Sequence, residues 1–365
     1  VTDSTGMVHA YDACVLATGS RAAAPAGPLS DRGGVFTLRT RQDAERIAAA
    51  AVPGAHLIVQ GAGVLGIELA HSLHARGCRV TVLARGRRLI GRSLDQRASD
   101  LLVAHLRGSG IAVLLDATIA AAEGDPLTEI TLGDGTRLAC AGVAVATGTV
   151  PTADLARAAG LTCGRGVTVD DWMRTSDPAI LAIGECAEFR DACWGTTASA
   201  TAMADAAAEW LRGNPHAPFA AAPISTIVKL PGLPLAACGV VEPEPGDQVV
   251  RWEDEGLGHY ALAVVRRDRL VGALCLGDTR PYPRLQQLIA AGTELGDDRR
   301  GLLLGGGGAA PRGRLVCSCN QVGEDDLRDA IRQHGRDPAV ICAKTRAGTA
   351  CGSCRGEVAR LCAPS

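Results

Sequence analysis

A short glycine pattern in the first third of the chain places the strongest limit on its fold. In the segment AHLIVQGAGVLGIELAHSLHARGCRVTVLAR, Gly61, Gly63 and Gly66 directly follow the apolar run His56 to Gln60. An amphipathic helix and a second apolar run come next, which is the order of a dinucleotide-binding βαβ unit. In such a unit the first glycine allows a tight turn, the second lets a pyrophosphate approach the backbone, and the third lets the helix pack on the strand. The pattern therefore predicts a nucleotide-binding α/β domain, with the helix N-terminus facing the phosphates.

The end of the second apolar run bears on the choice between NADH and NADPH. The acid that would bind the ribose hydroxyls of NADH is missing there, and Ala84 is followed by Arg85, Arg87 and Arg88. Arginines bind a 2'-phosphate through paired hydrogen bonds, which favours NADPH. A solvated basic turn is the alternative interpretation, so the nucleotide stays open as NAD(P)H.

Three further strand-like runs end in small residues. YDACVLATGS, residues 11–20, and GVAVATGTVP, residues 142–151, both contain Ala-Thr-Gly, and TSDPAILAIGECAEF places Gly184 and Glu185 after a short apolar run. Glycine lets the backbone pass close to a bound group because it has no Cβ. A glycine and an acid between a strand and a helix also suit phosphate and ribityl hydroxyls. Each pattern on its own fits an ordinary turn equally well.

Length and composition limit the function classes. A chain of 365 residues predicts two or three domains. The hydrophobic share of 47%, the charged share of 21% and the formal charge of -2 are typical of a soluble globular protein, without electrostatic attraction to nucleic acid or anionic membranes. The apolar runs are shorter than the roughly 20 residues of a membrane-spanning helix. No signal peptide is visible, which predicts a cytoplasmic protein, but residue 1 is valine, so an earlier segment stays open.

Four of the 14 cysteines form close pairs towards the carboxyl end. Cys317 and Cys319 are separated by one residue, and Cys351 and Cys354 by two, whereas most of the others stand singly in apolar runs. In a cytosolic protein such pairs point to a metal centre. Each pair can hold one iron of a [2Fe-2S] cluster, and four cysteines suit tetrahedral zinc equally well. Spacing alone leaves the metal undecided.

The remaining segments predict a smaller domain and a linker. The runs 225–239 and 260–278 indicate antiparallel strands, with a hairpin turn at Arg266 to Asp268. The glycine-rich run GLLLGGGGAAPRGR, residues 301–314, indicates a flexible linker. A short helix is predicted from Glu324 to Gln333, between the two cysteine pairs.

In this order the motifs resemble the pyridine nucleotide flavoprotein oxidoreductases over about residues 7–215. The resemblance implies an NAD(P)-binding domain inserted into an FAD-binding domain. It places Thr18, Gly19 and Gly148 near FAD or the crossover between the domains, and Gly184 and Glu185 at the ribityl and phosphate groups of FAD.

The resemblance also bears on Glu68 and on the start of the chain. Glu68 matches the acid near the nicotinamide in this family, with an exposed helix acid as the alternative, and no residue is assigned as a certain catalytic group. The FAD-binding glycine motif of the family should lie before the first Ala-Thr-Gly run. The chain begins too late to include it, so we expect the FAD-binding domain to be incomplete.

The carboxyl-terminal motifs VCSCNQVGEDDLRDAI and TRAGTACGSC resemble a bacterioferritin-associated-ferredoxin-like (BFD-like) module. The whole order is similar to that of assimilatory NAD(P)H nitrite reductase large subunits and nitrate reductase electron-transfer subunits. This resemblance implies a [2Fe-2S] cluster on Cys317, Cys319, Cys351 and Cys354. It also implies electron transfer from NAD(P)H through FAD and the cluster to a nitrite or nitrate reductase catalytic domain or subunit.

Other functions remain open at this level. The alternatives are a ferredoxin or rubredoxin reductase, the flavoprotein subunit of an amine or opine dehydrogenase, and a non-catalytic protein that binds structural zinc. A homodimer also stays open.

The expected architecture is α/β, with two doubly wound Rossmann-like domains, a small α+β domain and a small helical domain. The expected divisions are an incomplete FAD-binding domain (1–30 and 147–215), an NAD(P)-binding domain (31–146), an α+β domain (216–300), a linker (301–313) and a [2Fe-2S] domain (314–365).

Overall fold

The computed structural model describes residues 1–214, 218–296, 299, 301–303, 311–318, 320, 322–349 and 352–363. The chain divides into two compact units. The first unit contains residues 1–23 and 149–222, and the second contains residues 24–148 and 223–365. The chain therefore passes between the units after residues 23, 148 and 222.

Strands and helices occur throughout both units. In chain order, the strands are β1 Cys14–Leu16, β2 Ser20–Ala22, β3 Val35–Thr37, β4 His56–Gln60, β5 Arg79–Leu83, β6 Ala112–Leu114, β7 Ile119–Gly124, β8 Leu127–Leu132, β9 Arg137–Ala139, β10 Gly142–Val145, β11 Thr149–Pro151, β12 Val167–Val169, β13 Ile180–Ala182, β14 Ala187–Phe189, β15 Ala192–Cys193, β16 Ser225–Val228, β17 Leu235–Gly239, β18 Gln248–Asp254, β19 His259–Arg266, β20 Arg269–Leu276, β21 Leu315–Cys317 and β22 Val322–Gly323. The α-helices are α1 Arg41–Ala50, α2 Val64–Ala75, α3 Gln96–Gly108, α4 Asp154–Ala158, α5 Thr197–Leu211, α6 Tyr282–Ala291, α7 Glu324–His334, α8 Pro338–Thr345 and α9 Arg355–Cys362.

The first unit contains three small sheets. β1 pairs in parallel with β13, β2 pairs antiparallel with β11, and β14 lies between β12 and β15. The hydroxyl of Thr196 caps α5 by accepting the Ser199 N–H, and Met203 on this helix is fully buried in the apolar core. Because parallel strands end at the same edge, the residues that follow β1 and β13 lie at one edge of their sheet.

The second unit begins with a five-stranded parallel sheet in the order β3-β10-β4-β5-β6. Its centre is the predicted βαβ unit, and β4 has the predicted bounds His56–Gln60. Helix α2 packs on β4 and β5 because Ile67, Ala70 and Leu73 form a buried face. Each large aliphatic side chain buried in this way stabilises the fold by about 1.5–3 kcal/mol. The strand–turn–helix–strand prediction is confirmed.

A second sheet in this unit is antiparallel, in the order β16-β17-β20-β19-β18. The predicted hairpin turn is confirmed between β19 and β20, where Arg267 and Asp268 both have positive φ, as a two-residue type I′ turn requires. Strand β18 and helix α6 were not predicted from the sequence. Residues of this sheet, including Leu262 and Leu274, belong to the same apolar core as Leu102 of α3. This core is therefore continuous between the nucleotide-binding sheet and the antiparallel sheet.

The carboxyl-terminal region is a small helical assembly with the short hairpin β21–β22. Helix α7 begins at the predicted Glu324 and ends one residue later than predicted, at His334. Leu327, Ile341 and Val358 are fully buried and hold α7, α8 and α9 together. The linker prediction is wrong for Leu302 and Leu303, which are buried against the antiparallel sheet and α6. Residues 304–310 of that linker lie outside the described residues.

In the described part of the chain, no helix combines the length and apolarity needed to cross a membrane.

Candidate functional site

The predicted nucleotide turn connects β4 to α2, and two of its glycines lie against backbone. A Cβ on Gly61 would lie 2.4 Å from the Ala146 carbonyl oxygen, and a Cβ on Gly66 would lie 2.0 Å from the Gly61 carbonyl oxygen. Only glycine fits at these two positions without movement of the backbone. A Cβ on Gly63 meets nothing within 4 Å, and Gly63 is the residue that precedes the first turn of α2. The open side of Gly63 is therefore where a pyrophosphate could approach the helix N-terminus.

The three arginines after β5 are not equivalent in the structure. Arg88 pairs with Glu242 beside the antiparallel sheet and donates to the Leu94 carbonyl at 3.3 Å. Arg87 pairs with Asp116 at 3.2 Å through a largely exposed side chain. Arg85 is exposed, and no ion pair involves it among the described residues. A 2'-phosphate would therefore contact Arg85 first, while Arg88 stabilises the packing of the second unit.

Glu68 lies one turn into α2 and is half-buried, unlike the exposed helix acid of the alternative interpretation. Its Oε1 accepts the backbone N–H of Lys229 at 3.0 Å, although 161 residues separate the two in sequence. The carboxylate thus links the nucleotide-binding helix to the chain that leaves β16. Nothing in the sequence signalled this partner.

The predicted FAD-contacting residues that follow β1 form a tight backbone turn. The Thr18 hydroxyl donates to the Thr152 carbonyl at 2.6 Å, and Gly19 has φ +65°. Gly148, with φ +119°, is the last residue of the second unit before the chain returns to the first. A Cβ on either glycine would meet open space, so each leaves room for a bound group beside the backbone.

Gly184 and Glu185 form a short 3-10 turn directly after β13. Gly184 has φ +74°, and Glu185 Oε1 accepts the Thr149 hydroxyl at 2.8 Å. A Cβ on Gly195 would lie 2.9 Å from the same Oε1 atom, so the carboxylate is held in a confined position. The carboxylate and the Gly184 backbone lie after a parallel strand, which is the position at which a doubly wound domain binds its ligand.

The described members of the two cysteine pairs lie on one cavity. Cys317 ends β21 and Cys354 directly precedes α9, and their exposed fractions are 2% and 8%. Both thiols line a cavity of about 270 Å³ together with Lys229 and Arg314. Cys319 and Cys351 lie outside the described residues. One cysteine at a strand end and one at a helix N-terminus, on a wall with two cationic residues and Glu357, suit a thiolate-bound metal centre.

Arg355 contacts the described part of the loop before Cys354. Gly348 and Gly352 both have φ +74°, and Arg355 Nε donates to the Gly348 carbonyl at 2.8 Å. A Cβ on Gly348 would lie 2.8 Å from Cγ of Arg355 and 3.3 Å from Sγ of Cys342. A side chain at position 348 would therefore press on Arg355 and on Cys342. Lys229 and Arg314 of the cavity wall were not identified from the sequence, because neither belongs to a spaced motif.

Three family descriptions match successive parts of the chain. They are pyridine nucleotide-disulphide oxidoreductase over residues 1–207, rubredoxin NAD+ reductase C-terminal domain over 225–293, and BFD-like [2Fe-2S] binding domain over 315–363. The first covers more than half of the chain. The protein belongs to the pyridine nucleotide-disulphide oxidoreductase family. The family resemblance and the α/β fold predicted from the motifs are confirmed.

Curated relatives include longer reductases and a ferredoxin reductase. The nitrite reductase [NAD(P)H] large subunit of Klebsiella oxytoca is 32% identical over 99% of this chain and 39% of its own length. The assimilatory nitrate reductase electron transfer subunit of Bacillus subtilis (strain 168) is 28% identical over 96% of this chain and 46% of its own length. The ferredoxin reductase component of chlorobenzene dioxygenase from Cupriavidus sp. (strain PS12) is 33% identical over 78% of this chain and 70% of its own length. The chain thus spans less than half the length of the first two relatives.

A solved structure shares the fold. The covalent complex of putidaredoxin reductase and putidaredoxin contains a chain that is 25% identical, with a TM-score of 0.73 over 82% of this chain and 75% of that one. Together, the family, the BFD-like domain and these relatives make FAD, NAD(P)H and a [2Fe-2S] cluster the cofactors of the protein, as the sequence predicted. The chain is an NAD(P)H-dependent flavoprotein oxidoreductase by family.

Proposed function

We propose that the protein passes electrons from NAD(P)H through FAD and a [2Fe-2S] cluster to an assimilatory nitrite or nitrate reductase centre. When bound, these cofactors supply the redox chemistry, in which a hydride pair is converted into single electrons. The observation that carries the proposal is that one compact unit contains both the glycine turn for the nucleotide and the cavity lined by Cys317 and Cys354.

The side chains and backbone of the second unit bind and orient the nucleotide in this proposal. The backbone of Gly61, Gly63 and Gly66 holds the pyrophosphate at the start of α2, and Arg85 binds the adenosine ribose or its 2'-phosphate. Glu68, on the same helix, lies at the nicotinamide end. In the first unit, Thr18, Gly19, Gly184 and Glu185 border the FAD, and Gly148 lies at the crossover.

Four thiolates hold the cluster in this proposal, two of them on residues that the structure describes. Cys317 and Cys319 would bind one iron, and Cys351 and Cys354 the other. A cluster held in this way needs its four ligand thiols reduced, so we place the activity in the cytoplasm, where thiols are kept reduced.

The terminal acceptor is inferred from the relatives. The nitrite and nitrate reductase relatives align over almost the whole of this chain, while most of their own length lies outside the aligned region. A catalytic domain or subunit of that kind is therefore the proposed electron acceptor.

A second candidate is reduction of a separate ferredoxin. It is favoured by the identity to the ferredoxin reductase component of chlorobenzene dioxygenase and by the fold shared with putidaredoxin reductase. Those matches cover 78% and 82% of this chain, which leaves part of it unmatched. The carboxyl-terminal BFD-like domain gives this chain its own iron–sulfur acceptor, which favours the first candidate.

The test is an anaerobic visible and electron paramagnetic resonance (EPR) spectrum of the protein before and after addition of NADPH or NADH. We expect flavin bleaching and a reduced [2Fe-2S] signal with at least one nucleotide. Cys317→Ser should lose the cluster signal, whereas Cys342→Ser, a cysteine of the same domain outside the two pairs, should keep it. A colourless protein with stoichiometric zinc would refute the redox function.

The acceptor is tested separately with the reduced protein. Reoxidation that requires a nitrite or nitrate reductase catalytic fragment supports the first candidate. Reoxidation by a ferredoxin, with no reaction with either fragment, would favour the second candidate and overturn the first.

A further inference from the structure

Strand β16 lies between two apolar cores of the second unit. Successive side chains of a strand point to opposite faces. Val228 is buried in the core that also contains Ile67 of α2, whereas Ile227 packs against the core that contains Cys317 and Leu327. The strand therefore contacts the nucleotide-binding helix through one face and the iron–sulfur domain through the other.

The nucleotide-binding domain fixes this strand at two points. The hydroxyls of Ser93 and Thr226 are hydrogen-bonded at 2.7 Å in a buried position. Directly after the strand, Glu68 accepts the Lys229 N–H at 3.0 Å. The backbone of Lys229 is therefore held by α2. Lys229 follows Ile227 by two positions, so in an extended chain the two residues share the face towards the iron–sulfur domain.

Lys229 lines the cavity that also contains the Cys317 and Cys354 thiols. Its neighbour on the wall, Arg314, is neutralised by Glu324 at 3.1 Å and by Glu357. The ion pairs within the described residues include none for the exposed Lys229 side chain. Lys229 therefore contributes to this wall, which also contains Glu357, a positive charge that is in no ion pair within the described residues.

We propose that Lys229, positioned by Glu68, raises the reduction potential of the [2Fe-2S] cluster. The inference rests on the proposed assignment of the four cysteine ligands. Reduction adds one electron to the cluster and makes it more negative, so a cation nearby stabilises the reduced form more than the oxidised form. The Lys229 ammonium exchanges no proton or electron in this role.

The chain supplies a matched control, because Lys229 and Lys344 are its only lysines. Lys344 is exposed in the last turn of α8, in the same iron–sulfur domain, and is not among the residues of the cavity wall. The experiment is an anaerobic redox titration of the EPR signal in K229Q, K229R and K344Q. We expect K229Q to lower the equilibrium constant for reduction of the cluster about tenfold. For one electron this lowers the reduction potential by about 59 mV. K229R should keep the wild-type potential because it keeps the charge.

A second pair of variants tests the role of Glu68. E68Q and E68A both remove the negative charge, but only glutamine keeps an oxygen that can accept the Lys229 N–H. We expect a lower cluster potential in E68A than in E68Q. Equal potentials in the two variants would overturn the positioning by Glu68.

The outcomes separate this inference from the proposed function. A wild-type protein without a [2Fe-2S] signal refutes the cluster assignment itself. A normal signal with equal potentials in K229Q and K344Q refutes the role of Lys229. If K229Q does not load iron, acetylation of loaded K344R protein removes the charge of Lys229 after assembly, with mass spectrometry to verify the site. An unchanged potential after that acetylation would also overturn the inference.

Discussion

The third glycine of the nucleotide turn should be irreplaceable for a reason that can be measured. In Gly66→Ala the new Cβ would lie 2.0 Å from the Gly61 carbonyl oxygen, and real Cβ atoms essentially never approach closer than 3.0 Å. Helix α2 would therefore have to move by about 1 Å. Overpacking of this kind against backbone costs up to about 3 kcal/mol, and alanine regains about 1 kcal/mol over glycine within a helix. We expect a net loss of about 2 kcal/mol in the free energy of unfolding.

Two other glycines provide the controls. Gly63→Ala introduces a Cβ with nothing within 4 Å, so stability should change by less than about 0.5 kcal/mol. The same methyl group would occupy the proposed approach of the pyrophosphate, so NAD(P)H affinity should fall about tenfold. Gly108→Ala, in the last turn of α3 and also in open space, should leave the nucleotide affinity unchanged and raise the free energy of unfolding by up to about 1 kcal/mol.

The assays are urea unfolding followed by circular dichroism and nucleotide binding followed by NAD(P)H fluorescence. If Gly66→Ala is as stable as Gly108→Ala, the close contact does not limit the packing of α2. If Gly63→Ala binds nucleotide as tightly as the wild type, the pyrophosphate does not lie at this turn.

Three further predictions concern the second unit. The hydroxyl of the buried Tyr260 donates a hydrogen bond to Asp95 at 2.5 Å. Tyr260→Phe removes this bond and should lower the free energy of unfolding by about 1–3 kcal/mol. An unchanged midpoint in a urea titration would contradict this prediction. Burial lowers the pKa of His56 below its ordinary 6.5, so stability that is present above pH 6.5 should be lost as the pH falls towards the folded-state pKa. His56→Gln should flatten this part of the pH profile of urea midpoints, and an unaltered profile would refute the assignment. Arg85→Ala should weaken NADPH binding about tenfold more than NADH binding, whereas Arg88→Ala should reduce stability and leave that preference unchanged; titrations with both nucleotides distinguish the two arginines.

Features that depend on neighbouring residues could be predicted from the sequence. The spacing of Gly61, Gly63 and Gly66 after an apolar strand predicted the nucleotide turn, because the turn and the start of α2 are formed by adjacent residues, with Gly66 against the Gly61 carbonyl. The hairpin at Arg267 and Asp268 was predicted for the same reason. The two cysteine pairs identified a metal centre because each pair can hold one metal atom from a single turn. Even so, spacing alone did not distinguish iron from zinc.

Which charged side chains form ion pairs, and where they lie, depends on the packing of distant parts of the chain. Three arginines follow β5, and nothing in their spacing shows that Arg88 is paired with Glu242 while Arg85 is exposed. The contact of Glu68 with the Lys229 backbone joins residues 161 positions apart. Such contacts depend on how β16 packs between two apolar cores, and that packing is set by the summed burial of many side chains. A local sequence pattern does not show how distant side chains pack together. The link through Lys229 between the nucleotide-binding helix and the cysteine cavity is therefore seen only in the folded chain.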